Sequence, residues 1–248
     1  MRMRFGLDVR PAIGASAETQ CGHVKGSGGR CPETLDPFGH HAAACGKGGG
    51  FVERHDGIVV ELAARLRRMG FKVAVERWVD DVAESRPGGQ ERRARMDLVV
   101  QSGRGIDYLD VTCFHPFSAA GGARPPSSGG TPEAHEMRKR DRYPVRELGS
   151  RRRTTMARFV PVAVTTYGLV GPAAVALFSE YEGELRERKG DAGLRNGGYL
   201  AALVSEAAVF GAARMVNRGF SAPDGQEWLQ RNREVAAETA NLLGNVSA

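Results

Sequence analysis

Two short apolar segments separated by a turn constrain the fold of this 248-residue chain more than any other feature. Residues 95–101 and 106–114 are rich in valine, leucine, isoleucine and aromatic residues, and the Ser-Gly-Arg-Gly sequence between them has the composition of a turn. If the last residue of the first segment pairs with the first residue of the second, Asp97 and Asp110 face each other on one side of a β-hairpin. Their Cβ atoms would then be about 5 Å apart. Two carboxylates that close repel each other unless a cation neutralises them.

A divalent metal ion is the simplest cation for this position, because hard carboxylate oxygens suit Mg²⁺ or Mn²⁺. The pair Asp97 and Asp110 therefore predicts a metal site of the kind that a metal-dependent phosphodiesterase needs. The alternative is that one aspartate ends a strand while the other lies on a solvated face. The hairpin register and the basic residues near the pair favour the metal site.

Positive charge is clustered rather than evenly spread. The net charge is +6 with a pI near 9.4, and arginine-rich runs occur at 92–95, 138–140 and 151–153. Such a run is often only a solvated face, but two of these three adjoin the candidate acidic site, which favours contacts with phosphate groups. The candidate contacts in these two runs are Arg95, Arg138 and Arg140.

The first 50 residues hold three of the four cysteines and three of the six histidines, but little apolar periodicity. A segment that cannot bury a core needs another means of stabilisation. The N-terminus lacks the apolar stretch of a signal peptide and no stretch reaches the length of a membrane span, so we expect an intracellular, reducing environment and no membrane partner. Cysteines there are more often thiols or metal ligands than disulfides. Cys113, in the second hairpin strand, is expected to be a small core residue.

Periodicity along the rest of the chain predicts an α/β domain. Residues 51–69 show helical spacing, 71–76 alternate as a strand does, and the aspartate hairpin follows. Thr131 followed by proline is a typical helix start, and 158–167 is a fourth strand in which Pro161 favours an edge or a bulge. Further helices are expected at about 172–188, 194–217 and 224–243.

This order of elements, with one acid near the start of the second strand and another in the third, resembles the restriction-endonuclease-like, or PD-(D/E)XK, superfamily. It resembles more closely the C-terminal region of site-specific non-LTR retrotransposon proteins, where a Cys/His zinc motif precedes a nuclease domain of this type. Over half of the chain takes part, and the order and spacing of the stretches carry the resemblance, above all the twelve residues between the two aspartates. The stretches are Cys31, Leu35–Ala42, Cys45, Gly48–Gly49, Arg54–Asp56, Arg95–Asp97, Leu109–Thr112, Lys139, Tyr143, Phe159–Val164 and Tyr167–Gly168.

Two departures from the family pattern concern the catalytic motif. Met96 stands where a proline usually precedes the first aspartate, and Thr112 stands where the superfamily has a lysine. The resemblance to the retrotransposon branch implies that Lys139, from the following helix, supplies this cation. Arg95 is a rival, because the hairpin register places it opposite Thr112. An arginine does not readily give up a proton, but it can stabilise a pentacovalent phosphate.

The activity that the resemblance implies is metal-dependent DNA cleavage by hydrolysis of a phosphodiester bond, as in the nicking domain of these retrotransposons. Asp97 and Asp110 would hold Mg²⁺ or Mn²⁺, and Lys139 would orient the attacking water or stabilise the transition state. The first helix often supplies a third acid, for which Glu61 is the candidate and a solvated glutamate the alternative. On the same helix Arg54 and His55 are expected to contact DNA phosphates.

His55 also falls on the apolar face of that helix, so a core histidine is its alternative role. The resemblance further implies a zinc ion in the N-terminal segment. The spacing of His41 and Cys45 suits zinc, and Cys31 lies where the family motif has a cysteine. The cysteine expected two or three residues earlier is missing, and Cys21 can replace it, with His23 or His40 as alternatives. The predicted zinc ligands are Cys21, Cys31, His41 and Cys45.

The full prediction is an α/β, restriction-endonuclease-like core of order α-β-β-β-α-β, in which helices flank a mixed sheet. It has three parts: a Cys/His zinc-binding segment at 1–50, the nuclease domain at 51–190 and a helical C-terminal extension at 191–248. The expected partner is DNA, alone or in a DNA/RNA target-priming complex, and the location is nuclear if the chain comes from a eukaryotic retroelement. Two alternatives stay open: a catalytically degenerate DNA-binding domain of the same fold, and a zinc-stapled adaptor module.

Overall fold

The structure is a computed structural model that describes residues 19–24, 29–47, 49–85, 91–117, 130–144, 157–189 and 198–220. The arginine run at 151–153 and the helix predicted at 224–243 lie outside the described residues. In chain order the helices and strands are α1 His40–Ala44, α2 Gly50–Arg68, β1 Lys72–Ser85, β2 Glu91–Ser102, β3 Gly105–Phe114, α3 Pro132–Arg142, β4 Ala157–Thr165, α4 Pro172–Lys189 and α5 Tyr199–Phe220.

The four strands form one mixed sheet of order β1-β2-β3-β4. The strands β1 and β2 are antiparallel, as are β2 and β3, whereas β4 runs parallel to β3. Gln101 pairs with Ile106 across the turn, so the predicted hairpin register is confirmed. Pro161 lies in β4, an edge strand, where its missing N–H leaves no gap inside the sheet. The predicted α/β fold with a mixed sheet flanked by helices is confirmed.

The main hydrophobic core lies between one face of the sheet and the helices α2, α4 and α5. Helix α2 supplies an apolar stripe at i, i+4 and i+8, as an amphipathic helix packed on a sheet does. Just after the last residue of α2, Gly70 has a φ of 91°, which suits glycine, and there the chain turns into β1. Core side chains from these elements include Ile58, Leu62, Leu66, Leu98, Val100, Leu109, Val162, Leu177, Phe178 and Val204.

A smaller hydrophobic cluster lies on the opposite face of β3 and β4, where α3 packs. Tyr108 and Phe159 from the sheet contact Tyr143, which follows the last turn of α3. Thr131 caps the start of α3 by accepting a hydrogen bond from the Ala134 backbone N–H at 3.3 Å, as the sequence predicted. These contacts hold α3 against the strands that carry the two aspartates.

The N-terminal segment packs as a third cluster against the end of α5. Leu35, Ala42 and Ala43 are buried with Val216 and Phe220 of that helix. The backbone N–H of Gly22 donates to the Gly219 carbonyl at 2.5 Å, and a Cβ at Gly219 would lie 2.7 Å from the Ala42 Cβ. A side chain at Gly219 would therefore push the segment away from α5.

Helix α5 is long and apolar enough to cross a membrane when only length and composition are considered. It has 22 residues, and its most apolar window has a mean hydropathy of 1.4, with 39% of that window buried. The expectation that no stretch reaches the length of a membrane span is therefore wrong for this helix. Its buried side packs on α1, α2, α4 and β4, and core helices of globular proteins meet the same criterion.

Candidate metal centre and acidic site

The four predicted zinc ligands converge. The ligand atoms of Cys21, Cys31, His41 and Cys45 all lie within 4.8 Å of one another, and all four side chains are buried. Cys21 Sγ is 3.8 Å from Cys45 Sγ, and Cys31 Sγ is 3.4 Å from His41 Nε2. With Zn–S near 2.3 Å and Zn–N near 2.0–2.1 Å, a tetrahedral site has S–S edges of about 3.8 Å and S–N edges of about 3.5 Å. The cluster is therefore shaped to hold one metal ion, and its donor set suits zinc.

Two local structures present these ligands. Cys21 and Cys31 lie on short antiparallel segments, in which the Cys21 N–H donates to Glu33 O and the Cys31 N–H to His23 O. His41 and Cys45 lie at the two ends of the short helix α1. That helix is held by the Asp36 carboxylate, which accepts backbone N–H groups of Phe38, His40 and His41 at 2.7–3.1 Å.

Burial favours the neutral form of two thiols of the cluster, Cys21 and Cys45. It raises the pKa of Cys21 to about 12 and raises the pKa of Cys45 as well, and neighbouring thiols add to both effects. All four cysteines of the chain are free thiols, and the Cys21–Cys45 separation of 3.8 Å is far longer than a disulfide bond of about 2.05 Å. A bound cation would reverse the effect of burial by favouring the thiolates.

The two alternative zinc ligands have other positions. His23 Nδ1 lies 3.4 Å from Cys21 Sγ, but the ring is not one of the four converging ligands. His40 Nδ1 is 3.1 Å from both His115 Nε2 and the Tyr167 hydroxyl, in a network that joins α1 to the end of β3. Cys21 therefore takes the fourth place in the cluster.

The two aspartates meet where β2 separates from β3. The last backbone-paired residues of β2 and β3 are Leu98 and Leu109, which are the chain neighbours of Asp97 and Asp110. There the Asp97 Oδ2 accepts the backbone N–H of Val111 at 2.6 Å, so a side chain replaces the next main-chain bond. The predicted register thus holds up to the acids, and the sheet opens at them.

Each aspartate lies against a cation from a flanking helix. Lys139 Nζ of α3 is 2.6 Å from Asp110 Oδ2, and His55 Nε2 of α2 is 3.1 Å from Asp97 Oδ2. His55 Nδ1 in turn lies 3.0 Å from the carboxylate of Asp56. The site is therefore a cluster of acids and cations supplied by α2, α3 and two central strands.

The charges in this cluster shift one another's pKa. The hydrogen bond to Asp97 raises the pKa of His55 to about 9 against the opposing effect of burial, and Asp56 adds to the rise. Burial raises the pKa of Asp110, and the nearby Asp97 charge acts in the same direction, whereas the Lys139 ammonium opposes both. At neutral pH His55 is an imidazolium.

Arg54 does not lie where a DNA phosphate could reach it. Its side chain is 2% exposed, and its guanidinium donates to the Ala43 carbonyl at 3.0 Å and to the Cys113 carbonyl at 3.3 Å. A Cβ at Gly211 of α5 would lie 2.5 Å from the Arg54 Cγ, so the two helices are in close contact there. The prediction of a phosphate contact was wrong, because Arg54 joins α1, α5 and β3 instead.

Glu61 is also away from the acidic site. It is exposed, and it lines a groove of about 550 Å³ between α2 and α5, together with Val60 and Phe210. On the same helix it is His55 that reaches Asp97. The position of Glu61 therefore does not support its prediction as a third acid. His55 is partly buried, and it contacts Asp97 instead of packing in the core.

The sequence did not indicate the surroundings of Arg95. Its Nη2 lies 2.5 Å from Glu76 Oε2 of β1, so the guanidinium contacts an acid rather than the position next to Thr112. By the register of β1 and β2, Glu76 lies opposite Asp97, and its φ of 52° is in the left-handed region that non-glycine residues rarely adopt. Arg138 and Arg140 are exposed on α3, on either side of Lys139.

In comparisons with known proteins, no family model matches the sequence, and no curated protein matches it significantly. The resemblance to restriction-endonuclease-like nucleases therefore stays a prediction that rests on the residues of this chain.

Proposed function

We propose that this protein is a metal-dependent endonuclease that hydrolyses DNA phosphodiester bonds. The observation that carries the proposal is the meeting of Asp97 and Asp110 on adjacent strands with the Lys139 ammonium 2.6 Å from Asp110. Two neighbouring carboxylates, one of them beside an amine, are groups that in-line hydrolysis of a phosphodiester can use. The order α2, β1, β2, β3, α3, β4 is consistent with a restriction-endonuclease-like core of the retrotransposon type.

The acidic site has a donor set that suits Mg²⁺ or Mn²⁺. Asp97 Oδ2 contacts His55 and the Val111 N–H. Asp110 Oδ2 lies 2.6 Å from Lys139 Nζ, and it is buried without a hydrogen-bond partner among the described residues. Hard oxygen ligands from two carboxylates are typical of magnesium sites. When bound, the ion would acidify a water molecule and offset charge on the phosphate.

The residues of the chain have separate roles in this proposal. Asp97 and Asp110 hold the ion, and the Val111 N–H and the His55 imidazolium fix the orientation of the Asp97 carboxylate. Lys139 lies close enough to Asp110 to orient the attacking water or to stabilise charge on the phosphate. Exposed Arg138 and Arg140 of α3 flank Lys139 and would bind neighbouring phosphates of DNA.

The Cys/His cluster would hold a structural zinc. The segment that carries it has few apolar side chains, and three cysteines are half of the residues that it contributes to its hydrophobic cluster. Coordination of Zn²⁺ by three thiolates and one imidazole would tie the two antiparallel segments to α1 and to the end of α5. The ion would thereby also support α2, because Arg54 of α2 binds the Ala43 carbonyl of α1.

The test is cleavage of supercoiled plasmid DNA with and without added Mg²⁺ or Mn²⁺. Omitting the divalent ion is preferable to adding a chelator, which would also remove zinc. Asp97→Asn and Asp110→Asn keep the shape of the side chain, remove a ligand charge and should abolish cleavage. Asp141→Asn is the matched control, because Asp141 is an exposed aspartate on α3, and this variant should cleave as the wild type does.

One observation favours a second candidate function, a DNA-binding domain without catalysis. His55 and Lys139 already lie against the two aspartates, so protein cations oppose their negative charge without an added ion. A wild type that never cleaves DNA or RNA with Mg²⁺ or Mn²⁺, yet binds DNA with a steep salt dependence, would establish this second function. Absence of both cleavage and DNA binding would leave the zinc-stapled adaptor.

A further inference from the structure

A large aromatic side chain is exposed beside the acidic site. Trp78 of β1 is 60% exposed, although tryptophan is on average a highly buried residue. It is directly paired with Arg95 of β2, which is two residues from Asp97. Strand geometry therefore places the Cα atoms of Trp78 and Asp97 about 8 Å apart, a distance that one or two nucleotides can span.

Arginines surround Trp78 on the exposed side of the hairpin formed by β1 and β2. Arg95 lies across from it, and Arg93 follows on the same side of β2. Both pair with acids, Arg95 with Glu76 and Arg93 with Asp80, but all four side chains are about half exposed or more. Ion pairs of that kind are worth little in water, so both guanidinium groups can exchange these partners for phosphates.

We propose that Trp78 stacks on an unpaired nucleobase next to the cleaved phosphate, while Arg93 and Arg95 bind the adjoining phosphates. This inference rests on the proposed nuclease function and narrows its substrate to DNA that is single-stranded at the cleavage site. Bases in a duplex already stack on one another and offer no free face to a side chain. An exposed aromatic ring flanked by cations is the combination that binds single-stranded nucleic acid in general.

The experiment uses the two tryptophans of the chain, Trp78 and Trp228. In a Trp228→Phe background, the fluorescence of Trp78 alone is recorded during titration without added Mg²⁺. The three probes are a short oligothymidylate, an abasic oligomer with the same number of phosphates, and a duplex of the same length. The abasic oligomer keeps the charge and removes the bases, so it separates stacking from electrostatic attraction.

We expect the oligothymidylate to quench Trp78 and to bind about tenfold or more tightly than the abasic oligomer or the duplex. The variants are compared by the fluorescence anisotropy of labelled oligomers, because Trp78→Ala and Trp78→Phe remove the reporting tryptophan. Trp78→Ala should lower the affinity for oligothymidylate to that for the abasic oligomer, and Trp78→Phe should retain most of it. Phe210→Ala is the control, because Phe210 is equally exposed at 60% but lies on α5. Its affinity for every probe should match that of the wild type.

Equal affinity for the oligothymidylate and the abasic oligomer would overturn the inference, as would a Trp78→Ala variant that binds both normally. A Trp78→Ala variant that dissociates a dimer of the wild type in sedimentation would also overturn it, since Trp78 would then belong to a protein interface. Failure of the two proposals can be told apart. Mg²⁺-dependent cleavage of plasmid or single-stranded DNA without stacking contradicts only this inference, and stacking without cleavage of either substrate contradicts only the nuclease function.

Discussion

The Cys/His cluster and the acidic site differ in how their charges are balanced. In the cluster, burial raises the pKa of Cys21 and of Cys45, and the ligand atoms of three cysteines and one histidine all lie within 4.8 Å of one another. In the acidic site, Asp97 and Asp110 already contact His55 and Lys139. The first region could hold a metal ion among its own ligands, whereas in the second, protein cations already lie against the acids.

This difference predicts different consequences when a metal is removed. Besides its four ligands the N-terminal segment buries only a few apolar side chains, so loss of a bound zinc should destabilise it. The acidic site lies on strands that are stabilised by two hydrophobic clusters, so loss of its ion should affect activity and leave the fold intact. His55 and Lys139 would also compete with a metal ion for the two carboxylates. Occupancy of the acidic site by the metal should therefore depend on the metal concentration.

The largest effect is expected for Cys45→Ala. This substitution removes one ligand of the cluster, so the protein should lose zinc and about 5 kcal/mol or more of the free energy of unfolding, because metal binding and folding of the segment are coupled. Elemental analysis and urea unfolding measure the two quantities. Cys113→Ala is the control, since Cys113 lies in β3 outside the cluster, and it should keep one zinc per chain. Wild-type protein without zinc, or with a stability that a chelator leaves unchanged, would contradict the zinc site.

Lys139→Ala should cause the next largest effect. The ammonium lies 2.6 Å from Asp110, and removal of a cation that stabilises transition-state charge lowers kcat on the order of 10²-fold. Plasmid cleavage under single-turnover conditions measures this loss. The fold should be retained, because Lys139 lies at the edge of the smaller cluster, and circular dichroism checks it. A Lys139→Ala variant with the wild-type rate would show that another group has this role.

The features that the sequence predicted correctly depend on local rules. The hairpin register follows from the length of the turn, the start of α3 from a threonine cap, and the place of Pro161 from its missing donor. Of the four cluster ligands, His41 and Cys45 follow from a spacing that fits the two ends of a short helix. Cys31 follows from the resemblance to the family motif, and Cys21 from its substitution for the missing cysteine.

The features that could not be predicted depend on which distant segments come into contact. Arg54 shares the i+4 stripe of Ile58 and Leu62, so periodicity places it inside, but only the fold shows that carbonyls of α1 and β3 meet its guanidinium there. Glu61 lies on the side of α2 next to α5, a helix far along the chain. The sequence predicts that His55 contacts a DNA phosphate or packs in the core. It does not show that α2 passes over the end of β2, where His55 reaches Asp97.

The pH dependence of stability should report the His55–Asp97 pair. The folded-state pKa of about 9 lies above the unfolded value of 6.5, so this contribution is fully present below pH 6.5 and is lost as the pH rises through 9. The shift corresponds to about 3 kcal/mol at most, and partial exposure of the imidazole reduces this to about 2 kcal/mol. Urea unfolding without added Mg²⁺ between pH 6 and pH 9.5 measures it. His55→Gln should lose this part of the slope, and an unchanged slope would place the titration elsewhere.

Arg95→Ala should have the smallest effect, and it decides between the two cations that the sequence left open. The pair of Arg95 with Glu76 is about half exposed on both sides, so its removal should change the free energy of unfolding by less than about 1 kcal/mol. Because this guanidinium contacts Glu76 rather than either aspartate, cleavage by the variant should stay within a few-fold of the wild-type rate. Its DNA affinity should fall modestly, with a salt dependence reduced by about one phosphate contact. Salt titrations of DNA binding and single-turnover cleavage measure both quantities. If Arg95→Ala instead lost about 10²-fold in rate while Lys139→Ala cleaved normally, Arg95 would be the catalytic cation, and its pairing with Glu76 would have to break when DNA binds.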